Sequence, residues 1–354
     1  MNISTLLIFI GSIVLLIIIH ELGHFLAAKL FKVEVEEFGI GFPPRALKLF
    51  TWGETLFSLN WIPLGGFVRP KGENNPEIEG GLAAANPWVR IAVFAAGPIA
   101  NLVTAVLLYT LIFARAGLPD DSTTFITAIS PDSPAEAAGL MPGDQLVSVA
   151  GIPIDSSEAL HETIQASLGL PTTIVVLRDG ETVTMEVVPR VDPPPGDGAV
   201  GFTFTHPRVS IPLGESVLLG AQTAYFQVRE LVLLPSRLIA GEIAPEEARL
   251  VGFTTMGRMF DMARESEAGS GMPAGTNTFA FFAYISLSLG ILNLFPIPAV
   301  DGGRILFTLP EILFNRRIPT RFENVVNAVS FLLLLLLLIY VNIQDIVNPV
   351  DLTP

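Results

Sequence analysis

Four long apolar stretches alternate with polar ones along the chain. The first runs from Ile3 to Phe31, interrupted by Ser12 and by a polar cluster at His20–His24. The others run from about Val89 to Phe113, Thr278 to Ala299 and Val325 to Val341. Each supplies roughly 17 to 29 residues against the ~20 a helix needs to cross a bilayer, so each predicts a membrane span. A fifth stretch, Val217 to Ala240, carries Gln222, Gln227, Arg229, Glu230 and Arg237. It predicts an amphipathic helix on or beside the membrane. A signal peptide is not expected at the N-terminus, because no positive region precedes the apolar run and no small-residue cleavage site follows it. Between the first two spans, Leu56, Ser58 and Trp61 flank alternating apolar residues until Gly65-Gly66 breaks the pattern, which predicts a β-hairpin over 54–69.

Composition supports the membrane reading. Half of the residues are apolar and 15% are charged, with a mean hydropathy of +0.57; soluble domains are nearer a quarter charged. The absence of cysteine excludes disulfides, thiol nucleophiles and cysteine-based zinc sites. A net charge of -14 argues against a nucleic-acid partner. The charge is unevenly placed. Residues 114–277 hold nine arginines, no lysine and 21 acidic residues, a balance of -12. Lys32, Arg45, Lys48, Arg69 and Lys71 fall between the first and second spans, and Arg304, Arg316, Arg317 and Arg321 between the third and fourth. Positive loops stay in the cytoplasm. Both termini and residues 114–277 are therefore expected outside, in a multi-pass protein of the cell's inner (plasma) membrane, in contact with membrane lipid.

The first span contains His20-Glu21-Leu22-Gly23-His24. This is H-E-x-x-H, in which the two histidines share one helix face and can reach one metal. Glu21 sits about 100° round from His20, close enough to hold a metal-activated water. Three ionisable residues in an apolar span are costly and point to function rather than to a polar patch that only packs helices. Zinc needs a third protein ligand. No histidine lies between 25 and 160. Glu34, Glu36 and Glu37 alternate with Val33 and Val35 like an exposed strand face, and His161 and His206 fall in the outside region. Asp301 remains. It follows Asn293-Leu-Phe-Pro296-Ile-Pro298-Ala-Val, where the two prolines break the third helix at its cytoplasmic end, the depth expected for His20 and His24.

With these motifs the chain resembles the site-2 protease family of intramembrane zinc metalloproteases, and most closely its bacterial regulator-of-sigma-factor branch. HELGH at 20–24 is similar to the zinc helix of that family, and N-x-x-P-x-P-x-x-D-G at 293–302 to its second signature, whose aspartate is the third ligand. Gly97-Pro98-Ile-Ala-Asn101 resembles the signature that opens the second span, and Pro63 to Glu73 the cytoplasmic segment after the zinc helix. Val300 stands where relatives often have leucine, and Gly252-Phe-Thr-Thr-Met-Gly257 where many have a Gly-Pro pair.

The resemblance implies Zn2+ on His20, His24 and Asp301, with Glu21 as general base. Asn293 and Pro296 would border the substrate, and Gly65 and Gly66 would lie on a membrane-associated hairpin whose edge pairs with extended substrate. Residues 122–206 read as a short helix closed by Gly139, a capping box of Asp155 and Glu158 opening a helix to about Ser167, and a hairpin from Thr172 to Val188. This resembles a circularly permuted PDZ domain, with Ala199, Val200, Gly201 and Phe202 as the loop for a peptide C-terminus and His161 on the groove helix.

The expected fold is thus a polytopic α-helical membrane protein with about four transmembrane helices, a cytoplasmic membrane-associated β-hairpin and an extracytoplasmic α+β PDZ domain. The division runs 1–31 (first span), 32–88 (hairpin loop), 89–113 (second span), 114–121 (linker), 122–206 (PDZ), 207–277 (amphipathic helices), 278–299 (third span), 300–324 (cytoplasmic loop), 325–343 (fourth span) and 344–354 (outside tail). The expected activity is endoproteolysis within the membrane. Substrates would be pre-trimmed single-span transmembrane proteins, such as an anti-sigma factor or a signal-peptide remnant, in regulated intramembrane proteolysis. An inactive PDZ-bearing scaffold fits poorly with the complete His/Glu/His/Asp set, and a zinc transporter fits poorly with Glu21 and a single ligand cluster.

Overall fold

A computed structural model describes residues 2–194, 196–244, 249–267 and 272–350, with backbone only at Pro63 and Leu64. In chain order the elements are α1 (Ile3–Leu30), β1 (Val35–Trp52), β2 (Thr55–Pro70), α2 (Pro87–Ala116), β3 (Leu118–Pro119), β4 (Thr124–Ile129), α3 (Pro134–Ala138), β5 (Gln145–Val149), β6 (Ile152–Pro153), α4 (Ser157–Ala166), β7 (Thr172–Arg178), β8 (Glu181–Val187), β9 (Phe202–Thr205), β10 (Arg208–Val209), α5 (Leu213–Ala240), α6 (Phe253–Glu265), α7 (Thr276–Leu294), α8 (Asp301–Phe314) and α9 (Thr320–Val347). They form two compact units: Met1–Phe113 with Leu213–Pro354, and Ala114–Pro212.

In the first unit, among the described residues, α1, α2, α7 and α9 are the helices long and apolar enough to cross a membrane. They correspond to the four expected spans, with shifted ends. The third stops at Leu294 instead of Ala299, because Pro296 and Pro298 cannot extend it. The fourth begins at Thr320 and ends at Val347. Small residues bring α1 and α2 together: a Cβ on Gly23 would lie 2.4 Å from the Ala96 carbonyl oxygen. Phe25, Val33, Val35, Phe38, Val93 and Phe94 form an apolar cluster that ties α1 and α2 to β1. Phe9 and Leu16 pack with Phe260 of α6 and Phe282 of α7. The N-terminus of α6 is capped from α9, where Asp345 accepts the Thr255 N–H at 2.7 Å and Asn342 the Phe253 N–H at 3.0 Å.

Three expectations change in this unit. The loop expected over 300–324 holds α8, whose Gly302, Gly303 and Thr308 are buried; at 14 residues it is too short to register as a span. Glu37 is not on an exposed face. Its side chain is buried, accepting from the Ser58 hydroxyl at 2.7 Å and pairing with Arg45 at 2.7 Å and Arg69 at 3.2 Å. Burial raises its pKa, but the Ser58 hydroxyl and the two guanidiniums outweigh that and hold it below the usual carboxylate range.

The third change is the hairpin. It turns at Gly53-Glu54, and Gly65-Gly66 lie within β2. Each long strand folds on itself, giving several registers. Trp52↔Thr55 to Arg45↔Asn60 is antiparallel, Val35↔Pro70 to Ile40↔Gly66 is antiparallel, and Glu37↔Leu56 to Ile40↔Leu59 rises in step. The last segment of β2, Gly66–Pro70, is thereby paired with Val35–Ile40 on one side, and among the described residues no strand pairs with its other side.

The second unit is a six-stranded sheet of order β8-β7-β5-β4-β9, with β6 beside β5. Its core includes Ile126, Leu146, Val149, Leu160, Ile174, Val176 and Val200. As expected, α3 is closed by Gly139 in the left-handed conformation and β7–β8 is a hairpin. The cap of α4 is Ser156, which accepts from the Ala159 N–H at 3.2 Å, rather than Asp155. Of the expected extracytoplasmic tail 344–354, residues 344–347 are the end of α9, 348–350 follow it, and 351–354 lie outside those described.

Candidate active site

Their four-residue spacing puts His20 and His24 on one face of α1, against Val93 and Gly97 of α2, and the break after Leu294 returns the chain so that Asp301 opens α8 beside them. The Asp301 carboxylate sits in the first helical turn, where the helix dipole favours an anion. The preceding Ala299 adopts φ +77° and its N–H donates to Asn327 Oδ1 at 3.0 Å, which holds the bend. His20 Nε2 lies 3.1 Å and His24 Nε2 3.3 Å from Asp301 Oδ2, and the two Nε2 atoms are 3.2 Å apart. Ligand atoms from positions 281 residues apart thus converge within 4.8 Å.

This arrangement fits a metal on chemical and steric grounds. Two imidazoles and one carboxylate form a three-ligand set that leaves a fourth position open, the pattern of catalytic zinc. His24 Nδ1 donates to the Val93 carbonyl at 2.8 Å, which leaves its Nε2 lone pair directed at the cluster. Opposite the imidazoles is Gly97. A Cβ there would stand 2.3 Å from His24 Nε2 and 2.8 Å from His20 Nε2. Glu21 lies beside the cluster and faces the backbone N–H of Val68 on β2.

The cluster opens into a cavity of about 660 Å³. Its walls include Ile17, Glu21, Gly65, Gly66, Val68, Asn293 and Phe331. Of the substrate-side residues expected from sequence, Gly65, Gly66 and Asn293 line this cavity. Gly65 has φ +94°, and a Cβ there would strike the Phe42 ring at 2.5 Å, so glycine lets β2 bend at that point. Asn293 donates one amide hydrogen to Leu289 O at 3.0 Å. Pro296 is exposed and not among the lining residues; its effect is to end α7. Arg304, three residues after Asp301, lines the cavity, pairs with Glu73 and lies over the Phe94 ring at 5.5 Å.

Ala199, Val200, Gly201 and Phe202 line a separate cavity of about 350 Å³ in the second unit, with Leu160, His161 and Ile164 of α4 opposite. His206 is satisfied locally, bonded to Ser157 Oγ at 2.7 Å and the Thr123 carbonyl at 2.9 Å.

The sequence gives Val93, Gly97 and Asn101 no place at the metal cluster, and Arg304 only a place in a basic loop. Gly97 and Asn101 had a legible signal, since they are four residues apart and share a helix face.

The sequence profile of peptidase family M50 matches residues 8–337. A Clostridium perfringens protein named "Putative zinc metalloprotease CPE1693" is 32% identical over 337 residues, covering 95% of this chain and 96% of the relative. Proteins of the same description from Campylobacter jejuni (32% identical; 94% and 90% covered) and Synechocystis (31%; 98% and 96%) are also similar. Among solved structures, an HtrA-type protease, AlgWS227A with decapeptide, aligns with 23% of this chain and 25% of its own at 26% identity and a TM-score of 0.20, too low to bear on the fold.

Proposed function

Since the chain belongs to peptidase family M50, the site-2 proteases, and is a zinc metalloprotease of the membrane, we propose that it cuts transmembrane segments of pre-trimmed single-span proteins in regulated intramembrane proteolysis. His20, His24 and Asp301 hold the zinc and Glu21 is the general base. The observation that carries this is the convergence of those three ligand atoms within 4.8 Å, with Glu21 beside them.

Zinc supplies a Lewis acid that polarises the scissile carbonyl and lowers the pKa of water toward ~7. Glu21 takes the proton of the attacking water and passes it to the leaving amine. Val68 of β2 lines the same cavity beside it. Asn293 clamps the substrate backbone from α7. A helical substrate must be unwound before its carbonyls can be attacked. The unpaired side of Gly66–Pro70 offers backbone groups to the unwound segment, offsetting the helix hydrogen bonds it loses in a low-dielectric site.

The unit Ala114–Pro212 is read as an extracytoplasmic PDZ domain that takes a peptide C-terminus at Ala199–Phe202 and screens substrates by size. Anti-sigma factors and signal-peptide remnants have the chemistry this site would accept, and both chain termini would lie outside. The test is Glu21→Gln. It should keep about one zinc per chain while cleavage of a helical membrane peptide falls by about 10²–10⁴-fold. Wild-type cleavage by this variant would remove Glu21 as the base.

A further inference from the structure

Asn101 is wholly buried in α2 and faces His20, with Nδ2 3.3 Å from His20 Nδ1. Its Oδ1 is also buried and has no hydrogen-bond partner among the described residues. Buried amide oxygens are normally satisfied.

His20 directs Nε2 at Asp301 (3.1 Å) and at His24 Nε2 (3.2 Å), the place where a metal would sit. A neutral imidazole carries one proton, so a ring that ligates through Nε2 carries it on Nδ1 and needs an acceptor there. For His24 that acceptor is the Val93 carbonyl. At His20 the group within reach is the Asn101 amide. With Nδ2 toward the ring, the amide matches the opposite tautomer, whose Nε2 proton would point at the metal position. The two ends of an amide have the same shape. A half-turn about Cβ–Cγ brings Oδ1 to the Nδ1 proton, removes the clash of donors and turns the amide NH2 to the side that Oδ1 leaves.

We infer that Asn101 is a positioning residue of the metal site: its side-chain oxygen accepts the Nδ1 proton of His20 and fixes the tautomer whose Nε2 lone pair faces zinc. The inference rests on His20 being a zinc ligand. The backbone supports it. The Asn101 carbonyl accepts from the buried Ser286 hydroxyl of α7 at 2.9 Å, so this turn of α2 is tied across to a second helix and the amide is held at the ring. Gly97, four residues earlier on the same face, lets the imidazoles approach while Asn101 orients one of them.

The experiment measures zinc affinity of the full-length protein in detergent by chelator competition, for wild type, Asn101→Leu and Asn101→Asp. Leucine has similar size but no acceptor, and should weaken zinc about 10–100-fold. Aspartate can only accept, and should bind zinc at least as tightly as wild type. Wild-type affinity in Asn101→Leu, or an equal loss in both variants, would reduce Asn101 to a space-filler and overturn the inference. A measurement on the unaltered protein guards against misfolded variants: in ¹⁵N-histidine spectra of the zinc-loaded chain, His20 should carry its proton on Nδ1, and a proton on Nε2 would overturn the inference equally. His24→Ala serves as reference. If it too keeps zinc, the ligand assignment itself falls and the inference falls with it.

Discussion

Replacing Gly97 by alanine adds one methyl group at the tightest point of the site. The new carbon would stand 2.3 Å from His24 Nε2, 2.6 Å from His24 Cε1 and 2.8 Å from His20 Nε2. Non-bonded heavy atoms prefer about 3.5 Å or more, so the His24 ring must retreat by about 1.2 Å. It has little room to do so, because its Nδ1 is held at 2.8 Å by the Val93 carbonyl and α1 already touches α2 at Gly23. Zinc–nitrogen distances tolerate only about 0.2 Å. Zinc affinity should therefore fall by about 100-fold or more, and proteolysis with it.

The fold should survive this change. Overpacking costs about 1–3 kcal/mol, offset in part by the ~1 kcal/mol that alanine gains over glycine in a helix. The assay is zinc per chain after dialysis against a graded chelator, with thermal stability measured in the same detergent. Gly11→Ala is the control, since among the described residues nothing lies within 4 Å of its Cβ position. It should leave zinc unchanged and raise stability slightly. If Gly97→Ala bound zinc with wild-type affinity, the imidazoles would not sit where this reasoning puts them.

Three further outcomes are expected. Burial raises the pKa of Asp144, but two hydrogen bonds from Arg178 at 2.7 Å and one from the Met141 N–H outweigh it and hold the carboxyl below its ordinary 3.8. A depressed folded pKa gives stability that is present above 3.8 and lost as pH falls through the folded value. Amide protection factors in Ala114–Pro212, corrected for intrinsic exchange, should therefore fall on acidification below about pH 4 in wild type, and Asp144→Asn should start less protected and lack that step; identical profiles would count against the pairing. Reporters after Pro354 and near Gly196 should read extracytoplasmic, and one near Glu77 cytoplasmic, by the positive-inside rule; a cytoplasmic reading at Gly196 would reverse the orientation. Deleting residues 122–206 should leave cleavage of a short pre-trimmed substrate nearly intact and admit substrates with large outside domains. A rise in KM for the short substrate instead would make the groove a recruiter.

Much of this molecule is legible in its sequence, for a physical reason. A bilayer selects spans by length and apolarity, which are properties of a contiguous stretch, and all four candidate spans can be read that way. His20, Glu21 and His24 are equally local, since helix geometry alone places them together. Asp301 was reachable because prolines and an intramembrane charge mark the break before it. The strands and turns of the second unit also follow from short-range pattern, as Gly139 and the Thr172–Val187 hairpin illustrate.

What tertiary structure decided involves partners distant in sequence or a fold of the chain back on itself. Glu37 reads as a surface carboxylate until Ser58, Arg45 and Arg69 close over it. Alternation alone gives no register, so Gly65-Gly66 read as an interruption of the pattern when they lie within β2 and border the cavity. α8 is too short to announce itself against the spans around it. Gly97 and Asn101 stand in the sequence as a signature on one helix face, but what they do is decided only when α2 packs against α1 and brings a missing side chain and an amide to the two imidazoles.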